Sequence, residues 1–269
     1  MIRMIVTDLD GTLLAGKSIL PEENARALRR AMDAGVRVVI ASGRRVEATI
    51  PIAKQIGVNA PMIVFNGAMV YDLQHDEILS GTKIPAETAR QVLREIEKTG
   101  IHTHAFPGRG YFMEKKDQWS DYYEDKIGVV GEAVGGKLSE WLDSDVYKLL
   151  SLAPCGELDA LQKHLAPLFP TVTFVKSGET HLEIIVKGVD KASGLKFLAP
   201  YLGVSQEETM AFGDEMNDLP IIEFAGKGYA MDNCVPGVRA RAKYIAPKNT
   251  DCGVARIVNL YLDEGRMGK

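Results

Sequence analysis

The chain holds little that would staple it together or embed it in a bilayer. It has three cysteines in 269 residues (Cys155, Cys234 and Cys252), an odd number with no Cys-x-x-Cys pair. That excludes a disulfide scaffold and a thiolate zinc site, and fits a reducing cytoplasm. Long apolar runs are also missing: residues 36–41 and 62–65 fall far short of the ~20 residues a membrane helix needs. Asp8 and Asp10 follow the N-terminus at once, leaving no room for the apolar stretch of a signal peptide, so neither secretion nor membrane insertion is expected. Positive charge is not in excess: 32 basic against 36 acidic residues give a net charge of −4, and no basic run suggests a nucleic-acid surface. No GxxxxGK[ST] loop is present, which removes support for P-loop nucleotide chemistry. What remains is an ordinary globular composition, 46% hydrophobic and 25% charged, long enough for one large or two modest domains.

Both ends of the chain alternate short apolar runs with amphipathic segments. Residues 4–8 read as a buried strand, followed by a helix that starts with Pro21-Glu22-Glu23, residues suited to a helix N-terminus. Gly35 stops that helix, residues 36–41 form a second strand, another helix precedes Pro61, and residues 62–65 form a third strand. The rhythm resumes with a helix over 192–202, strands at 209–212 and 229–231, a helix over 219–223, a short strand at Ile245 and a last helix over 254–262. This pattern predicts an α/β fold, a Rossmann-like parallel sheet with helices on both faces. The middle reads differently: a helix over 87–98, strands around 101–106, 111–114 and 146–152, a helix over 158–168, then strands over 172–175 and 182–186. It suggests an α+β module, residues 83–187, inserted into a core made of 1–82 and 188–269. Within it His102 and His104 share one strand face. With no third ligand nearby in sequence, a solvated face is expected there in preference to a metal site.

In an open parallel sheet, ligands gather at the carboxyl ends of the strands. Those ends carry Asp8-Leu9-Asp10-Gly11-Thr12, Ser42-Gly43-Arg44, Asn66-Gly67 and Gly213-Asp214-Glu215-Met216-Asn217-Asp218. Any one of these turns could hold Asp or Gly for local reasons. Four that together bring carboxylates, amides and hydroxyls to one edge call for a site. Carboxylates about 4 Å apart repel by about 4 kcal/mol at an effective dielectric of 20, so they need raised pKa values or a cation. Oxygen ligands without His or Cys point to Mg²⁺, which commonly takes carboxylates together with a phosphate oxygen. An anionic substrate is therefore expected as well, with turn amides, Ser42 and Lys191 as partners for its oxygens.

The segment Asp8-Leu-Asp-Gly-Thr-Leu-Leu14 resembles the first motif of the haloacid-dehalogenase-like hydrolases. Ser42-Gly43-Arg44, Lys191 and residues 213–218 match the other three motifs in order. Asn66-Gly67-Ala68, Leu182-Glu183-Ile184 and residues 187–191 are similar to the Cof-type sugar-phosphate phosphatases. Only a short flap and one helix fit between Thr12 and Ser42, so the inserted module takes the place of the cap and is similar to the C2 type.

The resemblance implies roles. Asp8 would attack phosphorus and form an aspartyl-phosphate, and Asp10 would protonate the leaving oxygen and then activate water. Mg²⁺ would be held by the Asp8 carboxylate, the Asp10 carbonyl and Asp214. Lys191, Ser42, Asn217 and the amides of Leu9 and Gly43 would bind the phosphoryl oxygens. Asp218 would orient metal-bound waters or Lys191, and Thr12 would tie down its turn. Asn66, Lys148 and Glu183 are candidate substrate contacts, and Arg44 is either a substrate contact or one half of a structural salt bridge. The implied activity is a Mg²⁺-dependent phosphatase of small phosphorylated metabolites, sugar phosphates foremost. A sugar phosphomutase or a non-catalytic phosphate sensor is the alternative. Neither nucleic acid nor membrane is an expected partner, and the oligomeric state is left open, a monomer included.

Overall fold

Met4–Thr7 is a β-strand with every residue buried, and its neighbours on both sides run parallel to it. The sheet order is Tyr244–Ala246, Lys227–Met231, Thr209–Gly213, Met4–Thr7 and Arg37–Ile40. A parallel bridge from Ala41 to Ile63 carries it on to Met62–Val64, which also belongs to a three-stranded sheet with Met69–Asp72 and Glu77–Gly81. Side chains alternate across such a sheet. Met4, Val6, Val39, Ala41 and Ala211 therefore share a face, packed on Ala192, Leu195, Leu198 and Ile221, from the helices Lys191–Tyr201 and Leu219–Phe224. Ile5, Val38, Ile40, Met210 and Phe212 take the opposite face, where Glu22–Asp33 lies, itself packed on Gly253–Asp263. Each fully buried aliphatic or aromatic side chain is worth about 1.5–3 kcal/mol, so both helical layers are held by the sheet they cover.

The computed structural model, which describes residues 1–16 and 19–268, divides into two units, Met1–Ser80 with Asp190–Lys269 and Gly81–Val189. The second unit is built on a six-stranded sheet ordered Val172–Lys176, His181–Val186, Lys148–Leu152, His102–Phe106, Phe112–Met113 and Glu132–Ala133. Its pairs are antiparallel except the last. One face, with Ala105, Leu149, Leu182 and Ile184, packs on the apolar stripes of the helices Ala86–Glu97 and Cys155–Leu165. The chain is thus an α/β protein with an inserted domain, as expected. Among the described residues no helix is long and apolar enough to cross a membrane.

One expectation fails in the second unit. His102 and His104 do not line a solvated face: His104 is fully buried and the His102 side chain is 5% exposed. The His102 Nδ1 lies 2.9 Å from Asp117 Oδ2, and the two Nε2 atoms are 2.8 Å apart. Tyr111 and Tyr123 lie against the His104 ring at 4.8 and 5.0 Å. Tyr123 comes from the helix Gln118–Ile127, which buries only Ser120 and Tyr123 and lies outside the expected elements. Burial, then the neighbouring His102, hold the His104 pKa well below the usual imidazole value.

Candidate active site

The first strand ends in an irregular turn over Leu9–Leu13, where Asp10 is extended and Gly11 takes φ 78°. A side chain on Gly11 would be strained at that angle, and its Cβ would fall 2.1 Å from Asp214 Oδ2. Gly213 answers a similar constraint, since a Cβ there would meet the Asp218 Cβ at 2.2 Å. These two glycines let the two acidic segments, residues 8–12 and 213–218, converge. Two residues outside the predicted site brace the turn: Asn233 Nδ2 donates to the Gly11 carbonyl at 2.8 Å, and Asn249 Nδ2 to the Leu14 carbonyl at 2.8 Å. Asn233 directly follows the strand Lys227–Met231 and Asp232, at the same sheet edge as the motifs, which is the signal that could have found it.

Asp8, Asp214 and Asp218 are buried, and one carboxylate oxygen from each lies within 4.8 Å of the others. If all were ionised, each pair would repel by roughly 3.5 kcal/mol or more at an effective dielectric of 20. One cation from the chain offsets part of this. Lys191, 1% exposed, donates to Asp8 Oδ1 at 2.6 Å and to Asp218 Oδ1 at 2.5 Å. It begins the helix Lys191–Tyr201, capped by Asp190, where the helix dipole disfavours a positive charge. The two carboxylates more than compensate. Burial alone would lower the Lys191 pKa, but Asp218 and Asp8 raise it above the ordinary lysine value. Asp218 Oδ2 also accepts the Asp214 and Glu215 amides at 3.0 and 3.1 Å, so it organises its own loop as well as Lys191.

Burial and then Asp218 raise the Asp8 pKa well above the usual carboxylate range. The same two causes push Asp214 up to about 7, against the pull of the Thr12 hydroxyl, which donates to Asp214 Oδ1 at 2.7 Å. Thr12 thus holds a carboxylate of the cluster. Fully ionised, three close carboxylates with one ammonium would leave two negative charges in a buried site. A hard divalent cation with oxygen ligands fits that set, whereas a soft metal has neither Cys nor His there to bind.

Around this cluster the predicted residues divide. Ser42 is buried, its amide bonded to the Ile63 carbonyl and its Oγ accepting the Arg44 amide at 3.1 Å. Leu9 is buried at the start of the first turn and Gly43 follows Ser42, half-buried. Asn217 Nδ2 donates to Asn66 Oδ1 at 2.9 Å, and Asn66 takes the left-handed conformation at φ 54°. The Asp10 carboxylate is not part of the three-carboxylate cluster; Arg44 grips both its oxygens, at 2.7 and 2.6 Å. Lys148 and Glu183 belong to the second unit, where they pair with each other at 3.3 Å; Ser177 donates to Glu183 and Lys148 lies over the Phe106 ring.

Comparison with known proteins bears on this geometry. A family model described as haloacid dehalogenase-like hydrolase matches residues 5–258. The 5-amino-6-(5-phospho-D-ribitylamino)uracil phosphatase of Bacillus subtilis is 31% identical over 268 residues, covering 96% of this chain and 97% of that one. The HMP-PP phosphatase of Yersinia pseudotuberculosis is 29% identical, covering 89% and 87%. A crystal structure of a haloacid dehalogenase-like hydrolase from Bacteroides thetaiotaomicron superposes with a TM-score of 0.88 at 27% identity, covering 97% of this chain and 99% of that one.

Proposed function

The chain belongs to the haloacid dehalogenase-like hydrolases and is a phosphatase of that family, and from that premise we propose that it hydrolyses small polyol or sugar phosphates in the cytoplasm with Mg²⁺. The observation that carries this reading is the buried cluster of Asp8, Asp214 and Asp218 around Lys191. Asp8 and Asp214, with the Asp10 carbonyl, are the groups we assign to the cation. When bound, Mg²⁺ neutralises the carboxylates and withdraws charge from the phosphoryl group. Asp8 attacks phosphorus, the bond to the ester oxygen breaks, and Asp10 delivers a proton to that oxygen as it leaves. Asp10 then takes a proton from the water that attacks the aspartyl-phosphate, the bond from phosphorus to Asp8 breaks, and orthophosphate departs. Lys191, Ser42, Asn217 and the amides of Leu9 and Gly43 serve as fixed donors to the phosphoryl oxygens, the electrostatic stabilisation on which phosphoryl transfer depends.

The polyol or sugar phosphate class draws support from the Bacillus subtilis relative, whose name places its phosphate on a ribityl chain. Choice among such compounds falls to the inserted unit, with Lys148 and Glu183 as specificity residues. Their replacement by Ala is expected to shift kcat/KM between sugar phosphates more than it changes hydrolysis of a simple aryl phosphate. The test is release of inorganic phosphate from a panel of phosphorylated metabolites, with and without chelator, in the wild type and in Asp8→Asn. Chelator-sensitive release confined to the wild type supports the reading. Isomerisation without release would favour a phosphomutase, and binding without either would favour a sensor.

A further inference from the structure

We infer that Arg44 is the positioning residue for Asp10: its guanidinium holds the carboxylate that the reaction uses as acid and base. The inference rests on the role given to Asp10 above. Arg44 Nε reaches Asp10 Oδ2 at 2.7 Å and Nη2 reaches Oδ1 at 2.6 Å. Two parallel bonds from a planar fork set the carboxylate's plane as well as its place, which a single point charge does not do.

The two partners are held unequally. The Arg44 side chain is 7% exposed and that of Asp10 is 43% exposed. The Arg44 amide donates to Ser42 Oγ at 3.1 Å, and its carbonyl accepts the Phe65 amide at 3.0 Å. Its backbone is therefore tied to the motif that carries Ser42 and to the following strand end. Asp10 stands beside Gly11 in an irregular turn, and its carboxylate is not one of the three that cluster at Asp8. The chain supplies a buried anchor and a more exposed group fastened to it. Direct contact with substrate through Nε and Nη2 would require those groups to leave Asp10. The arrangement assigns them to orienting the acid, where misplacement of about 1 Å can cost about 10²-fold in rate.

The test is single-turnover release of the leaving group at saturating Mg²⁺ from two substrates. The aryloxide of an aryl phosphate departs without a proton, and the alkoxide of a polyol phosphate needs one. Asp10→Asn, Arg44→Met, Arg44→Lys and the double variant Asp10→Asn/Arg44→Met are compared with the wild type, each checked by its melting curve. Arg44→Met is expected to slow the polyol phosphate at least about tenfold more than the aryl phosphate, less than the roughly 10²–10⁴-fold of a lost general acid because Asp10 is misplaced and not removed. Arg44→Lys should show the same preference, because an ammonium cannot grip both oxygens, and it keeps the buried charge should the Met variant misfold. The double variant should be no slower than Asp10→Asn. An equal loss on both substrates, or a double variant slowed by the full Arg44 factor again, overturns the inference. If Asp10→Asn itself shows no preference between the substrates, the role of Asp10 fails first and that of Arg44 with it.

Discussion

Replacing Asp214 by Asn removes one carboxylate from the cluster at nearly constant shape. Its pKa is raised from 3.8 to about 7 by burial and by Asp218. A carboxyl group raised on folding stabilises the protein fully below its unfolded pKa, and that contribution is lost as pH rises through the folded one. In chelator, going from pH 5 to pH 8 crosses about 2 of those pH units, which costs the wild type roughly 2.6 kcal/mol at this residue. At roughly 2–4 °C per kcal/mol for a chain of this size, that is a fall of about 5–10 °C in Tm. Mg²⁺ should return most of it at pH 8 and little at pH 5, because protons and cation compete for the same oxygens. The assay is thermal melting of the wild type and Asp214→Asn at both pH values, with chelator and with Mg²⁺. Differencing the two proteins cancels titrations remote from the cluster; Asp8, whose pKa Asp214 helps to raise, shifts with the substitution and is counted with it. The variant should lose both the extra fall at pH 8 and the Mg²⁺ gain. Equal pH dependence in the two proteins, or an undiminished Mg²⁺ gain in the variant, would refute the assignment of Asp214.

Lys191→Met should leave Asp8 and Asp218 facing each other without their shared ammonium, at a cost of about 3–5 kcal/mol in urea unfolding; unchanged stability would contradict the buried ion pairs. Gly11→Ala should reduce Mg²⁺-stimulated phosphate release sharply, since its Cβ would displace the Asp214 carboxylate, and activity like that of the wild type would mean that this turn does not position Asp214. Asn233→Ala should weaken the same turn through the lost bond to the Gly11 carbonyl, at about 1 kcal/mol by denaturant midpoint. A midpoint within error of the wild type would deny it that bracing role.

The parallel unit was legible because its strands are short apolar runs and its helices carry stripes and stops, as between Glu22 and Gly35. The converging turns were legible because carboxylates and glycines recur at strand ends. Other features lay outside that pattern. The helix Gln118–Ile127 carries Trp119, Tyr123 and Ile127 at helical spacing but buries just Ser120 and Tyr123, so its period is faint; the clearer sign is the capping box of Asp117 and Ser120. The burial of His104 depends on Tyr123 from that unseen helix. The pairing of Asp10 with Arg44 joins residues 34 apart in sequence, a distance over which neither spacing nor propensity carries information. The contact of Asp218 with Lys191 agrees with its place in the motif, but its second oxygen also holds two loop amides, which spacing alone does not reveal.

If Asp8 is the nucleophile, it carries the phosphoryl group during turnover. The direct measurement is acid quenching of Asp10→Asn during reaction with an aryl phosphate and Mg²⁺, followed by peptide mass mapping. Loss of Asp10 as base should let the intermediate accumulate. One added phosphoryl group is expected on the peptide bearing Asp8, and none when Asp8→Asn is combined with Asp10→Asn. Phosphate on any other residue, or full turnover in Asp8→Asn alone, would contradict it.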